Sequence, residues 1–428
     1  MQPTTTRSQK RLTLRRSRPM LMAAGTIALA VLAAGSPAYG QQLATPNLTA
    51  GITVDHHHGG GSHRGGRGEQ RRVTARLTTV AEFPVGYFLE NVAVRADGSM
   101  LVTELSQKGL WYVPAPTGST PVQPVLIHTF DQAPFDIQET QRNVFYVDTS
   151  SYLTTHQSYL QRVDLRHWKP GTPVPVQQVL QFPSPISAVN GSCVLAPNVI
   201  LVADSVGLIW RVDLSADGRK ATARVWLKDP SMNSGRHVVP PQPGINGIEY
   251  GAKTGYVYYT STAQELFMRV RVDPKTRNPA AAPELIAKGH LWDDFDIDQS
   301  AGVAYITTHR QNTIERVPLG PHSGQAEQAV AGVPFDPQLV GPSRFAWGRG
   351  PGDVGSIAYV TTDGGTTAPP PDGIVRPARL LRAELSCPSA RSHEDRLAVH
   401  GQPVFGPATT TPGSVGITPG CPGWIFPM

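Results

Sequence analysis

A repeated unit is the feature that most limits what this chain can fold into. Each copy has a short apolar strand, a turn and a second β-rich strand, followed by a third strand ending in a pattern such as "WRVD" or "RVRVD". A fourth strand fits the linking stretches, as in "PVQQVLQF". Taking one residue near the start of each copy as a marker, the spacings are 46, 54, 56, 47 and 50 residues between Glu90, Asp136, Asn190, Asn246, Asp293 and Ser343.

Six four-stranded units of this period predict an all-β chain folded as a six-bladed β-propeller. A β-sandwich, or two smaller β domains, is the alternative. We expect the propeller to occupy residues 73–386 as one domain. The segment "VTARLTTVAEF" precedes the first unit, and we expect it to supply an outer strand that closes the ring.

The first forty residues have the layout of a secretory signal peptide. A basic region comes first, "MLMAAGTIALAVLAAG" follows as an apolar core, and "SPAYGQQ" offers small residues for cleavage. An uncleaved membrane anchor is the alternative, but the apolar run falls short of the ~18 residues needed to span a bilayer. Residues 1–40 are therefore predicted to be a signal peptide, and the protein to be secreted or periplasmic.

The positive charge of the chain belongs to this export segment. The formal net charge is +6, and residues 1–40 hold six Lys and Arg but no Asp or Glu, so their removal leaves a net charge of zero. A mature protein without a basic surface is not expected to bind nucleic acid. We also expect no membrane association after cleavage, whereas the sequence does not indicate the oligomeric state.

Two further segments are predicted to lie outside the fold. Residues 41–72 contain "DHHHGGGSHRGGRGEQRR", which is typical of a disordered, solvated linker, with transition-metal binding by its histidines as the alternative. Residues 387–428 read as an irregular Pro/Gly-rich tail that holds Cys387 and Cys421, and these two could pair in an oxidising compartment. Cys193 lies in an apolar strand pattern and is expected to be a buried small hydrophobe.

The markers matter because the innermost strands of a propeller all begin at one face of its central channel. Five of the six markers are carboxylates or carboxamides, and loops on the same face add Glu104, Asp148, Asp204, Ser261 and His309. Crowded carboxylates repel one another unless a cation or protons offset them, and such oxygens suit a hard cation. The ordinary alternative, at each position alone, is an Asn or Asp that completes a loop by bonding nearby backbone.

Several of these stretches resemble one known family. "INGIEYGAKTGYVYYTST", "DDFDIDQSAGVAYITT", "VNGSCV" and "FLENVAV" are similar, in the right order, to motifs of the senescence marker protein/gluconolactonase/luciferin-regenerating enzyme family. The similarity spans residues from about 80 to 385, and it looks closest to divergent secreted members.

The resemblance implies a divalent cation, with Ca²⁺ the expected ion, held by Glu90, Asn246 and Asp293. It also implies hydrolysis of a sugar lactone or similar small ester, in which Asp293 doubles as the general base. Because the family's "PDG" form is replaced here by Asp293-Asp294-Phe295, either aspartate fits the ligand position.

Three residues are expected to contact the small-molecule substrate. The resemblance places Asn190 beside it, Asp294 adjoins the expected base, and His309 in "TTHRQNT" could face the pocket as an acid or base. For His309 a surface or capping role is the alternative.

Two other functions remain open at this stage. One is a non-catalytic secreted propeller with a structural calcium ion that binds a ligand or protein. In that case the loop "SMNSGRHVVPPQPG" would plug the channel mouth, whereas an accessible water on the cation would favour the enzyme. The other is a strictosidine-synthase-like propeller, for which no matching catalytic residue is found.

Overall fold

The fold is known from a computed structural model that describes residues 72–151, 154–184, 187–234, 242–320 and 328–386. This part forms six four-stranded antiparallel sheets, and their inner strands contact one another in a closed ring. The chain is therefore a six-bladed β-propeller, as predicted, and the β-sandwich alternative is wrong. The predicted signal peptide, the linker up to residue 71 and the tail with Cys387 and Cys421 lie outside the described residues.

The first strand, β1 (Thr74–Val85), belongs to the sixth blade. The next three blades follow in chain order from the innermost strand outwards. Blade one is β2 (Leu89–Val94), β3 (Met100–Glu104), β4 (Gly109–Val113) and β5 (Val125–Thr129); blade two is β6 (Ala133–Gln141), β7 (Val144–Ser150), β8 (Ser158–Asp164) and β9 (Val176–Gln181); blade three is β10 (Val189–Ala196), β11 (Val199–Asp204), β12 (Leu208–Leu214) and β13 (Ala221–Lys228).

Blades four to six repeat the pattern, and two single-turn 3₁₀ helices accompany them. Blade four is β14 (Ile245–Gly251), β15 (Tyr256–Ser261), β16 (Leu266–Arg271) and β17 (Glu284–Lys288); blade five is β18 (Trp292–Asp298), β19 (Val303–Thr308), β20 (Thr313–Pro318) and β21 (Gln328–Ala331); blade six is β22 (Pro342–Trp347), β23 (Ile357–Thr362), β24 (Pro377–Ser386) and β1; the 3₁₀ helices are Pro230–Met232 and Thr262–Gln264.

The two ends of the described chain close the ring by pairing with each other. β1 runs antiparallel to β24, from Thr74 opposite Ser386 to Val85 opposite Pro377. The predicted closing strand is thus confirmed. Blade six is built from both ends of the fold, so closure depends on ordinary sheet hydrogen bonds.

A pairing irregularity recurs at the same place in every blade. In blade one the ladder between the first two strands skips Glu90, and in blade four it skips Asn246 and Gly247. A bulge of this kind leaves residues out of the ladder and redirects their side chains, and bulges are common beside functional sites. The marker positions are all among the skipped residues: Glu90, Asp136, Asn190, Asn246, Asp293 and Ser343.

The hydrophobic core lies between adjacent blades. Cys193 of blade three is 1% exposed and packs in a cluster with Ile248 and Tyr259 of blade four, as expected for a buried small hydrophobe. Between blades five and six the rings of Tyr305 and Phe345 stack with centroids 5.3 Å apart. Among the described residues, no helix is both long and apolar enough to cross a membrane.

Candidate functional site

The side chains at the start of the inner strands form a buried polar cluster, which we call the acidic mouth. It consists of residues that the bulges free from the strand ladder, and each is only 2% to 7% exposed. The members are Glu90, Asn190, Asn246, Asp293 and Asp294.

Asn246 and Asp293 are joined by a hydrogen bond between neighbouring blades. The Asn246 Nδ2 group donates to Asp293 Oδ1 at 2.6 Å and to Thr262 Oγ1 at 2.9 Å. Thr262 Oγ1 in turn donates to the carbonyl oxygen of Trp292, so it accepts from the amide and fixes its orientation. As a result Asn246 Oδ1 is left as a buried acceptor without a partner.

Glu90 and Asp293 share an environment that disfavours their charge. Burial, followed by repulsion from Asp293 and Asp294, raises the pKa of Glu90 well above its usual range. Burial also raises the pKa of Asp293 to about 6, against a lowering by His309 and by the Asn246 hydrogen bond. The Glu90 Oε2 atom is buried without a hydrogen-bond partner. The cluster therefore holds more acceptor oxygens than the protein supplies with donors.

Asp294, in β18 of blade five, completes the cluster and is bound by a residue of blade one. Asn91 Nδ2 donates to Asp294 Oδ2 at 2.9 Å, whereas Asp294 Oδ1 has no hydrogen-bond partner. A Cβ atom added at Gly247 would lie 2.3 Å from Asp294 Oδ1, so a glycine is needed for this close approach. In the described part of the chain the Asn190 side-chain amide has no hydrogen-bond partner and is available to a ligand.

The residues of the acidic mouth suit a cation that prefers oxygen ligands. Among the described residues, no three His, Cys, Asp or Glu side chains are grouped as they would be around a metal ion. Glu90, Asp293 and Asp294 are thus not arranged as such a group, and a cation here would also need the amide oxygen of Asn246. Glu90 and Asn246 each present an unpartnered buried oxygen, and oxygen-only sets are typical of Ca²⁺ sites. Cation binding here stays a prediction.

A histidine–aspartate pair lies next to the cluster. His309 Nε2 is 3.2 Å from Asp363 Oδ2, and the imidazole stacks on the Phe88 ring with centroids 5.3 Å apart. The His309 side chain is 13% exposed and thus mostly buried, and its role as an acid or base stays a prediction. Burial lowers the pKa of His309, but Asp363 and then Asp293 raise it overall.

Sequence reasoning missed Asp363, although a signal was present. Asp363 directly follows β23, one position beyond Thr362, which pairs with Pro342 as Glu104 pairs with Leu89 and Asp204 with Val189. Its carboxylate accepts hydrogen bonds from the backbone of Gly365 at 2.7 Å and from the Thr367 backbone and hydroxyl at 2.9 and 2.8 Å. These hydrogen bonds fix the Asp363 carboxylate, so it can hold the His309 imidazole in place.

Other predicted members of this face are used for structure. Glu104 Oε2 accepts from the backbone of Gln107 at 2.9 Å, and Asp204 Oδ1 accepts from the backbone of Ala188 at 2.9 Å. Asp136 Oδ2 accepts from the hydroxyl of Ser192 at 2.9 Å. Glu104 and Asp204 thus bond nearby backbone, as in the loop-completing alternative, whereas Asp136 joins blades two and three.

Two more predicted loop residues lie inside or at the end of strands. Asp148 is within β7, where both of its carboxylate oxygens are buried without partners and burial raises its pKa well above the usual range. Ser261 ends β15 and is also buried, with an unpartnered hydroxyl. Residues 235–241 of the predicted plugging loop lie outside the described part of the chain.

Below the acidic mouth, an arginine that sequence reasoning also missed crosses the channel. Arg344 Nη2 lies 2.6 Å from Glu249 Oε1, and Nη1 lies 4.0 Å from Asp294 Oδ1. Burial lowers the pKa of Arg344, but the carboxylates around it, Glu249 first, raise it overall. A single charged guanidinium thus lies between two carboxylates from two other blades.

No protein-family model matches the chain, and no curated protein matches it either. Among solved structures, the fold is similar to that of a luciferin-regenerating enzyme, with a TM-score of 0.50 and 11% sequence identity over 72% of this chain and 95% of that one. An aldose sugar dehydrogenase from Streptomyces coelicolor, solved with bound PQQ, gives 0.48 and 11% over 74% and 99% of the two chains. Regucalcin from Agrobacterium tumefaciens, a calcium-binding protein, gives 0.49 and 15% over 72% and 92%.

The first of these similarities supports a shared propeller fold. The first of these proteins bears one of the names in the family that the sequence motifs resemble. At 11% identity this likeness shows the fold alone, and membership in that family stays a prediction.

Proposed function

We propose that this protein is a divalent-metal-dependent hydrolase of a lactone or similar small ester, acting at the acidic mouth. The observation that carries the proposal is the excess of buried acceptor oxygens at Glu90, Asn246 and Asp293, two of which have an oxygen without a hydrogen-bond partner. Buried carboxylates in such a cluster need a cation or protons. A bound Ca²⁺ ion would meet that need and, when present, would polarise the substrate carbonyl.

Asp293 would then carry out the proton transfers of the reaction. Hydrolysis adds water to the carbonyl carbon and breaks the bond between that carbon and the ring oxygen, giving a hydroxy acid. Asp293 would accept a proton from the attacking water and return it to the ring oxygen as that bond breaks. Burial raises the pKa of Asp293 to about 6 when no ion is bound, and a bound cation would favour its ionised form, which is the form that accepts the proton.

Three further side chains would hold the substrate. The Asn190 amide, which has no partner in the described part of the chain, would bind a substrate hydroxyl or carbonyl. His309 would contribute a wall of the pocket together with Phe88, in an orientation kept by Asp363. Asp294 would keep its place through Asn91 and would accept from a substrate hydroxyl at its free Oδ1.

The depth of the cluster favours a second candidate, a non-catalytic propeller with a structural cation. Glu90, Asn246 and Asp293 are at most 7% exposed, which leaves little room for a substrate beside a cation. In that case the ion would stabilise the fold by binding only the native state. The face of the propeller would then bind a ligand or protein.

Calcium binding by calorimetry on the mature protein, without residues 1–40, tests the proposal first. We expect binding that is at least about tenfold weaker in Glu90→Gln and in Asp293→Asn, a loss of about 1.4 kcal/mol or more. Asp217→Asn removes one negative charge from a turn outside the channel and is the matched control, with binding unchanged. Binding of normal strength in both channel variants would remove the cation from the acidic mouth.

A screen of sugar lactones with the calcium-loaded protein separates the two candidates. Hydrolysis that disappears in Asp293→Asn supports the enzyme, provided that Asp217→Asn keeps full activity. Calcium binding without hydrolysis of any lactone, together with a raised unfolding temperature, supports the structural cation.

A further inference from the structure

In every blade, one residue of the second strand faces the bulge of the inner strand. In blade one Thr103 lies beside the bulge at Glu90, and in blade four Thr260 lies beside the bulge at Asn246 and Gly247. The six residues at this position are Thr103, Asp148, Ala203, Thr260, Thr307 and Thr361. Four of them are threonines, and Asp148 is the one ionisable side chain of the set.

The threonines use their hydroxyl groups to join neighbouring blades. Thr103 Oγ1 donates to the carbonyl oxygen of Phe135 in blade two at 3.1 Å, and Thr260 Oγ1 donates to that of Asp293 in blade five at 2.8 Å. The two remaining threonines make the same bond to the next blade, at 2.9 and 3.1 Å. In each case the acceptor is the first residue that the bulge of the next blade releases from the ladder. A proton carried by the second strand is thus the link between these blades.

Asp148 occupies the threonine position at the junction of blades two and three. It is 0% exposed, and neither of its carboxylate oxygens accepts a hydrogen bond from the described part of the chain. At the next junction, where Ala203 stands at the equivalent position, the hydroxyl of Ser205 donates to the carbonyl oxygen of Ile245 at 2.9 Å instead. An ionised Asp148 would therefore supply no proton at a position where the other blades use one.

The neighbouring carboxylate, Asp136, takes the hydrogen-bond donors of this junction. It accepts from the backbone of Ile137 at 2.6 Å, from the backbone of Ser192, and from the Ser192 hydroxyl at 2.9 Å. A hydroxyl group has a single proton, so the Ser192 oxygen offers only its lone pairs to Asp148. Asp136 is thus supplied with donors as an ionised carboxylate requires, whereas Asp148 is not.

The surroundings of Asp148 also disfavour its charge. An unpaired carboxylate is so costly to bury that the group takes up a proton instead. Burial, followed by repulsion from Asp136, raises the pKa of Asp148 well above its usual range, against a lowering by the Ser192 hydroxyl, whose proton is already directed at Asp136. Among the described residues Asp136 is the one charged group that acts on Asp148, so no cation offsets the repulsion.

We propose that Asp148 is a neutral carboxylic acid in the folded protein, and that its proton joins blade two to blade three as the threonine hydroxyls join other blades. By the equivalence of the blades, the acceptor is the carbonyl oxygen of Asn190, the first residue that the bulge of blade three releases. Ionisation at alkaline pH removes this bond and places two carboxylates side by side, so the junction is sensitive to pH. The proposal does not depend on a cation or on hydrolysis at the acidic mouth.

Carbon-13 NMR of labelled aspartate carboxyl groups, on the mature protein in EDTA, tests this inference directly. We expect a signal of a protonated carboxyl group that persists at pH 7 and disappears in Asp148→Asn. Asp217→Asn, in an exposed turn, is the matched control and should keep that signal. Glu90→Gln should keep it as well, because this variant alters the acidic mouth and not the junction. An Asp148 signal at the position of an ionised carboxylate at pH 7 would overturn the inference.

Urea unfolding at pH 5 and pH 9 gives a second readout through Asp148→Asn and Asp148→Thr. Both new side chains carry a donor without a charge, and the threonine is the residue of four other blades. The native state keeps the Asp148 proton, whereas the unfolded chain releases it above about pH 4, so this share of stability falls as pH rises. Relative to the unchanged protein, the urea midpoint of each variant should therefore be higher at pH 9 than at pH 5, and that of Asp217→Asn should not shift. If Asp148→Asn fails to fold, Asp148→Thr still decides, and a difference that is the same at both pH values would contradict the neutral acid.

Discussion

Both ends of the central channel bury carboxylates, but they differ in how those charges are balanced. Where the inner strands end, Glu249 and Glu139 are each paired with an arginine. At the acidic mouth Glu90 has no cationic partner within hydrogen-bonding distance in the described part of the chain, and Asp293 is bonded only to an amide. One end is therefore complete without a ligand ion, whereas the other is not.

The position of a residue along an inner strand thus decides whether its side chain is left without a partner or pairs with a charge from another blade. Bulges near the start of each inner strand release one or two residues per blade from the ladder, and the sequence provides acceptors there. Near the ends of the inner strands of blades one, four, five and six the ladder is regular, and residues such as Arg344 and Glu249 pair across the channel. Arg344 also lies 4.0 Å from Asp294, so it is the one guanidinium that links the two ends in the described structure.

Among the substitutions considered, replacement of Arg344 should have the largest effect on stability, because this residue balances buried carboxylates in the channel. Arg344→Met leaves Glu249 and Asp294 buried without their cation, and we expect unfolding in urea at pH 9, where Glu249 is mostly ionised, to become easier by about 3–5 kcal/mol. The cost should shrink at pH 5, where both carboxyl groups can take up protons. Arg76→Met removes an exposed ion pair with Glu384 and should cost less than about 1 kcal/mol. Equal costs for the two variants would contradict the assigned role.

The two ends should lose stability in different pH ranges when no metal is bound. The folded-state pKa of Asp293 is about 6 against an ordinary 3.8, and that of Glu249 is about 8 against 4.5, burial being the main cause in both. A raised carboxyl pKa means that the native state binds more protons than the unfolded state, so stability falls as pH rises between the two values. For Asp293 this loss runs from about pH 4 to 6, and for Glu249 from about pH 4.5 to 8.

Urea unfolding in EDTA from pH 4 to 9 measures these ranges. Asp293→Asn should flatten the lower range and recover on the order of 3 kcal/mol at pH 7, at about 1.4 kcal/mol for each unit of pKa. Glu249→Gln should flatten the range that extends to about pH 8. If neither substitution altered the dependence of stability on pH, Asp293 and Glu249 would not be the groups whose raised pKa values cause it.

The fold was predictable because the same pattern of strands and turns recurs in six copies along the sequence. Each copy places β-forming residues and a turn in the same order, and local turn chemistry agrees, as at Asp97-Gly98, where Gly98 has a φ of +81°. Convergence of Glu90, Asn246 and Asp293 followed from the topology alone. The ring closure by β1 also followed, since a six-bladed sheet ring leaves one outer position to fill.

Side-chain pairing could not be predicted in the same way. Nothing in "GPSRF" indicates that Arg344 would meet Glu249, because the two residues are 95 positions apart and belong to different blades. The bulges also have no sequence signal of their own, although they decide which residues leave the ladder. Asp363 was recoverable from its position after β23, but its bond to His309 depends on the path of the loop that follows.

The smallest expected effect concerns the pair beside the acidic mouth. Asp363→Asn removes the carboxylate that, against burial, raises the pKa of His309, so that pKa should fall in an NMR titration. The amide keeps one acceptor oxygen for the turn at Gly365 and Thr367, and the cost in stability should be about 1–3 kcal/mol. Asp372→Asn, at an exposed site in the neighbouring loop, is the control and should leave the imidazole unchanged. If the His309 pKa stayed the same in Asp363→Asn, the imidazole would owe its protonation to Asp293 instead, and the pair would be a packing contact.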